Sequence, residues 1–121
     1  AAAVARSAAR KYGCTVAVTG AEDVITDGVR VARIRNGVPQ MGKITGTGCM
    51  LSGVIGAYVG ANGDAFAAVT AAVASMGIAG EISYEKYGQT GTGSLRVGII
   101  DALSRIDDQA IEQRGKIVYE G

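Results

Sequence analysis

From Ile44 to Gly80 the chain carries a single charged side chain, Asp64. A stretch that long and that poor in charge does not belong on a solvated surface, so it has to be covered either by the rest of a protein core or by a membrane. A membrane hairpin is the rival reading, because Gly56 and Gly60 make a small-xxx-small pair of the kind that lets membrane helices approach. Against it, residues 44–63 hold six glycines together with Thr, Ser and Asn, and the second uncharged stretch, Ala65–Gly80, has only 16 residues. A span needs about 20 strongly apolar residues, and Ala dominates here where Leu, Ile and Phe would be expected. We therefore expect the stretch to be the core of a globular domain with no membrane partner.

The periodicity shows how the stretch is used. Leu51, Val54, Ile55, Tyr58 and Val59 fall on one stripe of a helix beginning near Thr47, with Gly53, Gly56, Ala57 and Gly60 on the other side. Glycine costs about 1 kcal/mol against alanine inside a helix, so that side is expected to pack closely on another backbone, the next helix. That next helix starts at Asp64, a cap, and runs through Phe66, Val69, Val73 and Met76 toward Lys86. A further helical stripe, Leu95, Ile99, Leu103 and Ile106, follows the glycine-rich loop Gly88–Gly93, with Asp101 and Arg105 spaced for an i, i+4 pair. The tail from Asp107 reads as a last helix with a strand-like end at Lys116–Tyr119.

Ahead of the stretch the pattern is of another kind. Residues 1–12 form an alanine-rich helix with Arg6, Arg10 and Lys11 toward its C-terminal end, and Gly13 stops it. Cys14–Val18 is a short β-branched run without alternation, as expected of a parallel strand covered on both faces, and Cys14 is expected in the core. Val24–Ile34 reads as a hairpin turning at Asp27-Gly28, with Arg30, Arg33 and Arg35 on its wet face. The order is helix, strand, hairpin, then three or four helices. This is half of an α/β layered fold, since a lone two-sided strand needs parallel neighbours.

Twelve Lys and Arg against eleven Asp and Glu give no basic field, so a nucleic-acid partner is not expected. Cys14 and Cys49 do not make a secreted disulfide framework and read as cytosolic thiols. Ala1-Ala2-Ala3-Val4-Ala5-Arg6 is neither a signal peptide nor a natural start, which suggests a piece of a longer protein.

Two loops suggest chemistry. Gly37-Val38-Pro39-Gln40-Met41-Gly42-Lys43-Ile44 follows the spacing of a P-loop but fails at Ile44, where a magnesium-binding hydroxyl is needed, and Pro39 interrupts the cradle. The stronger loop is Thr45-Gly46-Thr47-Gly48-Cys49. Its glycines let backbone approach a ligand, and the helix that begins there aims free N–H groups and the positive end of its dipole outward, a site for the charge of a transferred phosphoryl group. Cys49 falls in the first turn, where the same field favours a thiolate able to act as base toward a substrate hydroxyl. The plainer reading makes Cys49 a small buried residue and the glycines turn formers. Thr19-Gly20, at the C-terminal end of the first strand, is where α/β enzymes bind ligands, and is equally a turn start. The Gly88–Gly93 loop is either a nucleotide contact or a plain connection. No metal-ligating cluster stands out.

Val16-Ala17-Val18-Thr19-Gly20, Asp27-Gly28, Arg35-Asn36-Gly37, Thr45-Gly46-Thr47-Gly48-Cys49-Met50-Leu51-Ser52 and Gly93-Ser94-Leu95-Arg96-Val97 with Asp101-Ala102-Leu103 resemble, in order and spacing, the hydroxyethylthiazole kinase family of the ribokinase-like superfamily. Gly-Thr-Gly-Cys is the most specific element, because related kinases place an Asp base where this family has Cys. The resemblance covers nearly all of residues 1–121 and implies the C-terminal portion of a single ribokinase-like domain, whose N-terminal half has no counterpart here. It further implies ATP- and Mg2+-dependent phosphorylation of 4-methyl-5-(2-hydroxyethyl)thiazole in thiamine salvage, by a cytoplasmic homotrimer with sites between subunits. Cys49 matches the catalytic position, Gly46 a substrate-contacting glycine and Thr19 an ATP-contacting threonine, with Thr47 and Gly48 in the phosphate loop. The family usually has an acid directly after Thr-Gly, whereas here Ala21 intervenes before Glu22. The alternatives are a non-catalytic nucleotide-binding domain that kept the loop, and a kinase of another small alcohol.

Overall fold

A computed structural model describes residues 1–120. Helix α1 (Ala2–Tyr12) ends where Gly13 adopts a left-handed conformation, φ 63°, that alanine-type residues avoid. Strands β1 (Val16–Val18), β2 (Asp23–Thr26) and β3 (Val31–Ile34) follow, then a 3-10 turn over Pro39–Lys43. Helices α2 (Thr47–Ala61), α3 (Ala65–Tyr87), α4 (Thr92–Leu103) and α5 (Asp108–Arg114) come next, and β4 (Ile117–Glu120) closes the described chain. The four strands lie in the order β1-β2-β3-β4.

Strand alternation sorts the side chains between two layers. Val24 and Val31 pack under Ala5 of α1. Ile25, Ala32 and Ile34 face the other way, onto Phe66, Val69, Val73 and Ala74 of α3. Beyond α3, Met76 and Ala79 meet Leu95, Ile99 and Ala102 of α4. Helix α3 is thus surrounded by the sheet, α2 and α4. By length and composition it would pass as a membrane span, yet 72% of its most apolar window is buried inside this fold, as the core reading expected. Its start is set by Asp64, whose side chain accepts the N–H of Ala67 and also receives both terminal nitrogens of Arg30 at 3.1 Å. That pair ties the β2–β3 turn to the helix.

The centre of the structure is a close approach between α3 and the loop after β3. A Cβ on Gly77 would stand 2.7 Å from Asn36 Cβ and 2.8 Å from its carbonyl carbon, so only glycine fits. Asn36, buried at 8% exposure, donates to Glu81 at 3.1 Å and to the Arg114 carbonyl at 2.9 Å, and accepts the Lys116 N–H at 2.8 Å. Glu81 also accepts the Gly37 N–H at 2.8 Å. One side chain therefore joins the end of β3, the middle of α3 and the α5–β4 connection.

Four expectations are corrected here. The strand read as parallel and two-sided pairs antiparallel with β2, and every pairing among the described residues is antiparallel. The link from Val18 to Asp23 is too short for the crossover that parallel strands need. Strand β1 is an edge of this sheet, and Cys14 beside it is exposed rather than core. In α2, Leu51 and Ile55 pack on the core and Tyr58 donates to Ser75 Oγ of α3 at 3.0 Å, while Gly53, Gly56 and Gly60 have nothing within 4 Å of a built Cβ. The larger side chains took the α3 contact because they bury more apolar area. Finally, α4 ends at Leu103, so Arg105 leaves the helical spacing and makes no ion pair with Asp101 among the described residues.

Asn36→Ala takes its partner from the Lys116 N–H and the Arg114 carbonyl and one donor from Glu81, and should cost about 2–4 kcal/mol. Gly77→Ala should cost about 1–3 kcal/mol through the forced separation of α3 from the loop. Urea unfolding of both variants checks this, and unchanged midpoints would contradict the hub.

Candidate functional site

A cavity of about 530 Å³ opens where three pieces of backbone meet beside the hub. The β1–β2 turn contributes Thr19, Gly20 and Asp23, the loop after β3 contributes Asn36 and Gly37, and the start of α2 contributes Thr47 and Gly48. Val73, Met76 and Gly77 of α3 form its floor. The Asn36–Glu81 bonds thus hold one wall, and the absence of a side chain on Gly77 lets that wall lie flat on α3.

The α2 wall carries the chemistry that the sequence suggested. Gly46 caps the helix at φ 93°, a left-handed conformation that a side chain would strain, and it provides no side-chain acceptor. The first backbone bond runs from the Met50 N–H to the Gly46 carbonyl at 2.9 Å. The N–H groups of Thr47, Gly48 and Cys49 therefore lie ahead of the hydrogen-bonded ladder, at the positive end of a helix running from Thr47 to Ala61. The Arg96 guanidinium stands close by, 3.9 Å from where a Cβ on Gly46 would be. Such an end is suited to an anion, and the two glycines leave room for a bulky one to come near the backbone.

The cavity brings Thr19, Thr47 and Gly48 together. Gly46 and Cys49 flank the same helix start and do not line it. Cys49 is exposed among the described residues. The P-loop-like segment is a 3-10 turn rather than a phosphate cradle, though Gly37, Pro39 and Gly42 of it border the cavity. Glu22, just past Thr-Gly, points elsewhere: hydrogen bonds from Arg35 at 2.7 Å and Arg33 at 3.1 Å occupy it and hold its carboxyl below the usual range. The Gly88–Gly93 loop lines neither this cavity nor a second one of about 600 Å³ between α3, α4 and the segment before α5. Sequence reasoning missed Asp23, Asn36 and Gly77. Asp23 had a signal, an acid placed to close the turn that starts at Thr19-Gly20; the Asn36–Gly77 contact had none.

Residues 1–109 match the family model described as the hydroxyethylthiazole kinase family. A protein of Ruminiclostridium cellulolyticum named hydroxyethylthiazole kinase is 50% identical over 115 residues, which are 95% of this chain and 42% of that protein. One of the same name from Clostridium beijerinckii is 47% identical, over 94% of this chain and 41% of its own. Among solved structures, the hydroxyethylthiazole kinase protein from Pyrococcus horikoshii OT3 superposes with a TM-score of 0.91 at 37% identity, covering 99% of this chain and 46% of that one. The chain thus spans a little under half the length of the relatives it matches.

Gly46→Ala should cost about 1–2 kcal/mol, because its φ of 93° is unfavourable for any residue with a Cβ. Cys49→Ala, at an exposed position, should change stability by less than about 0.5 kcal/mol. Thermal unfolding of the two variants separates them, and a large loss for Cys49→Ala would give Cys49 a packing role.

Proposed function

Since the chain belongs to the hydroxyethylthiazole kinase family, we propose that it is the C-terminal portion of a single ribokinase-like kinase domain. In this reading the whole protein phosphorylates the hydroxyl of 4-methyl-5-(2-hydroxyethyl)thiazole in thiamine salvage, using ATP and magnesium. The observation that carries the proposal is the bare start of α2. Its N–H groups and dipole face the same space as Thr19, with no side chain of its own capping them.

In this reading the residues divide the work as the family resemblance implies. The N–H groups of Thr47 and Gly48 receive the charge of the phosphoryl oxygens, where fixed donors stabilise transfer without reorganising. Thr19 contacts ATP across the cavity, and Gly46 allows the thiazole to approach the backbone. The Cys49 sulfur, exposed on the same helical turn, takes the proton of the substrate hydroxyl. ATP supplies the phosphoryl group and arrives with its magnesium. Among the described residues no three His, Cys, Asp or Glu side chains cluster, so in this proposal the magnesium ligands belong to the N-terminal half. That half, and further copies in a cytoplasmic homotrimer, would cover what is open here: the β1 edge and the glycine face of α2.

The test joins this chain to the N-terminal half of the Ruminiclostridium relative and measures thiazole phosphorylation. The joined protein should turn over and the 121-residue segment alone should not. Cys49→Ala should lower turnover by about 10² to 10⁴-fold. Cys49→Asp should lower it less, since a carboxylate is another base favoured at a helix start. Full turnover by the Ala variant would overturn the catalytic role of Cys49.

A further inference from the structure

The turn that holds Thr19 contains a carboxylate that the proposed reaction does not use. Asp23 opens β2 and lines the same cavity as Thr19, Thr47 and Gly48. Its Oδ1 accepts the N–H of Gly20 at 2.9 Å. Unlike Glu22 beside it, which two arginines clasp, Asp23 has no cation against it among the described residues. Burial pushes its carboxyl above the usual range, opposed by the Gly20 bond. A half-buried carboxylate without a counter-ion, in a cavity suited to anions, repels the ligand and costs desolvation. Something must offset that, and the Gly20 bond is the contact in place to do so.

The bond has a definite mechanical effect. Val18 is held by its pairing with Val24, and Asp23 by its pairing with Ile34. Clamping the Gly20 N–H to Asp23 fixes the residue after Thr19, just as the β-ladder fixes the residue before it. Thr19, itself exposed and outside any strand, is thereby held between two anchored neighbours. We propose that Asp23 is a positioning residue for nucleotide binding, which through its bond to the Gly20 N–H holds Thr19 on the cavity wall opposite the start of α2. This rests on the proposed ATP contact of Thr19.

The inference concerns the place of the acceptor rather than its charge, and that difference is testable in the joined enzyme. ATP binding is measured by calorimetry beside the KM and kcat for ATP. Asp23→Asn keeps an acceptor oxygen in place and removes the repulsive charge, so its Kd should stay within about threefold of the unsubstituted enzyme or improve. Asp23→Ala should raise Kd and KM about tenfold, the size of one net hydrogen bond, with kcat nearly unchanged. Asp23→Glu keeps the charge but displaces the acceptor by a methylene, and should also weaken binding; it gives the same readout if the Ala variant does not fold. In a double-mutant cycle, Asp23→Ala should add little to Thr19→Val, because both act on one contact. An Asn variant as weak as Ala, or full additivity with Thr19→Val, would overturn the inference by making the carboxylate a direct contact. If Thr19→Val alone leaves Kd unchanged, the Thr19 assignment fails and the inference with it. If Thr19→Val weakens binding and Asp23→Ala does not, only the inference fails.

Discussion

The contact of Asn36 with α3 is the constraint on which the rest of the structure depends. Gly77 is the point where the loop after β3 can lie on the helix, and a Cβ there would meet the Asn36 backbone at 2.8–2.9 Å. Once the loop is seated, the amide of Asn36 satisfies Glu81, the Arg114 carbonyl and the Lys116 N–H in one place. The Arg114 carbonyl and the Lys116 N–H have this amide as their partner, and Glu81 shares it with the Gly37 N–H, which is why such a network is costly to disturb. The contact sets the distance between sheet and helix, docks α5 and β4, and makes one wall and the floor of the cavity. Because the anchor is a short rigid side chain on a glycine seat, the cavity wall inherits the rigidity of the core.

On that frame the site uses backbone more than side chains. The start of α2 offers N–H groups because Gly46 has no side chain to cap them, and the β1–β2 turn presents Thr19 between two fixed neighbours. The cost of leaving a helix end uncapped falls on stability, where a capping side chain is worth about 1 kcal/mol. A helix without charges from Thr47 to Ala61 keeps its glycine face uncovered by the described residues.

What was legible in the sequence was local. The helix stop at Gly13, the Asp64 cap, the turn at Asp27-Gly28 and the start of a helix near Thr47 each depend on residues a few positions apart, and each was found where the pattern put it. Patterns that depend on distant partners were not legible. The run at Cys14–Val18 has the composition of a strand covered on both faces, but its cover on one side is absent from the described residues, so β1 lies at an edge. The pattern turns the glycine side of α2 toward the next helix, yet α3 packs on the opposite face.

The sequence by itself determined the elements, the core helix, and the loop at Gly46–Cys49, because caps, periods and glycine conformations act within a turn or two of chain. It also carried the family, in Gly-Thr-Gly-Cys and the motifs around it. Only the tertiary structure decided that Thr19 and Gly48 share a cavity, that Glu22 is neutralised by Arg33 and Arg35 outside it, and that Asp23 rather than Glu22 faces inward. These outcomes turn on strand register and on the fit of Asn36 against Gly77, residues 41 positions apart. Contacts between such distant positions leave no local spacing to read; they are set by which packing buries the most apolar surface while leaving no polar group unpaired.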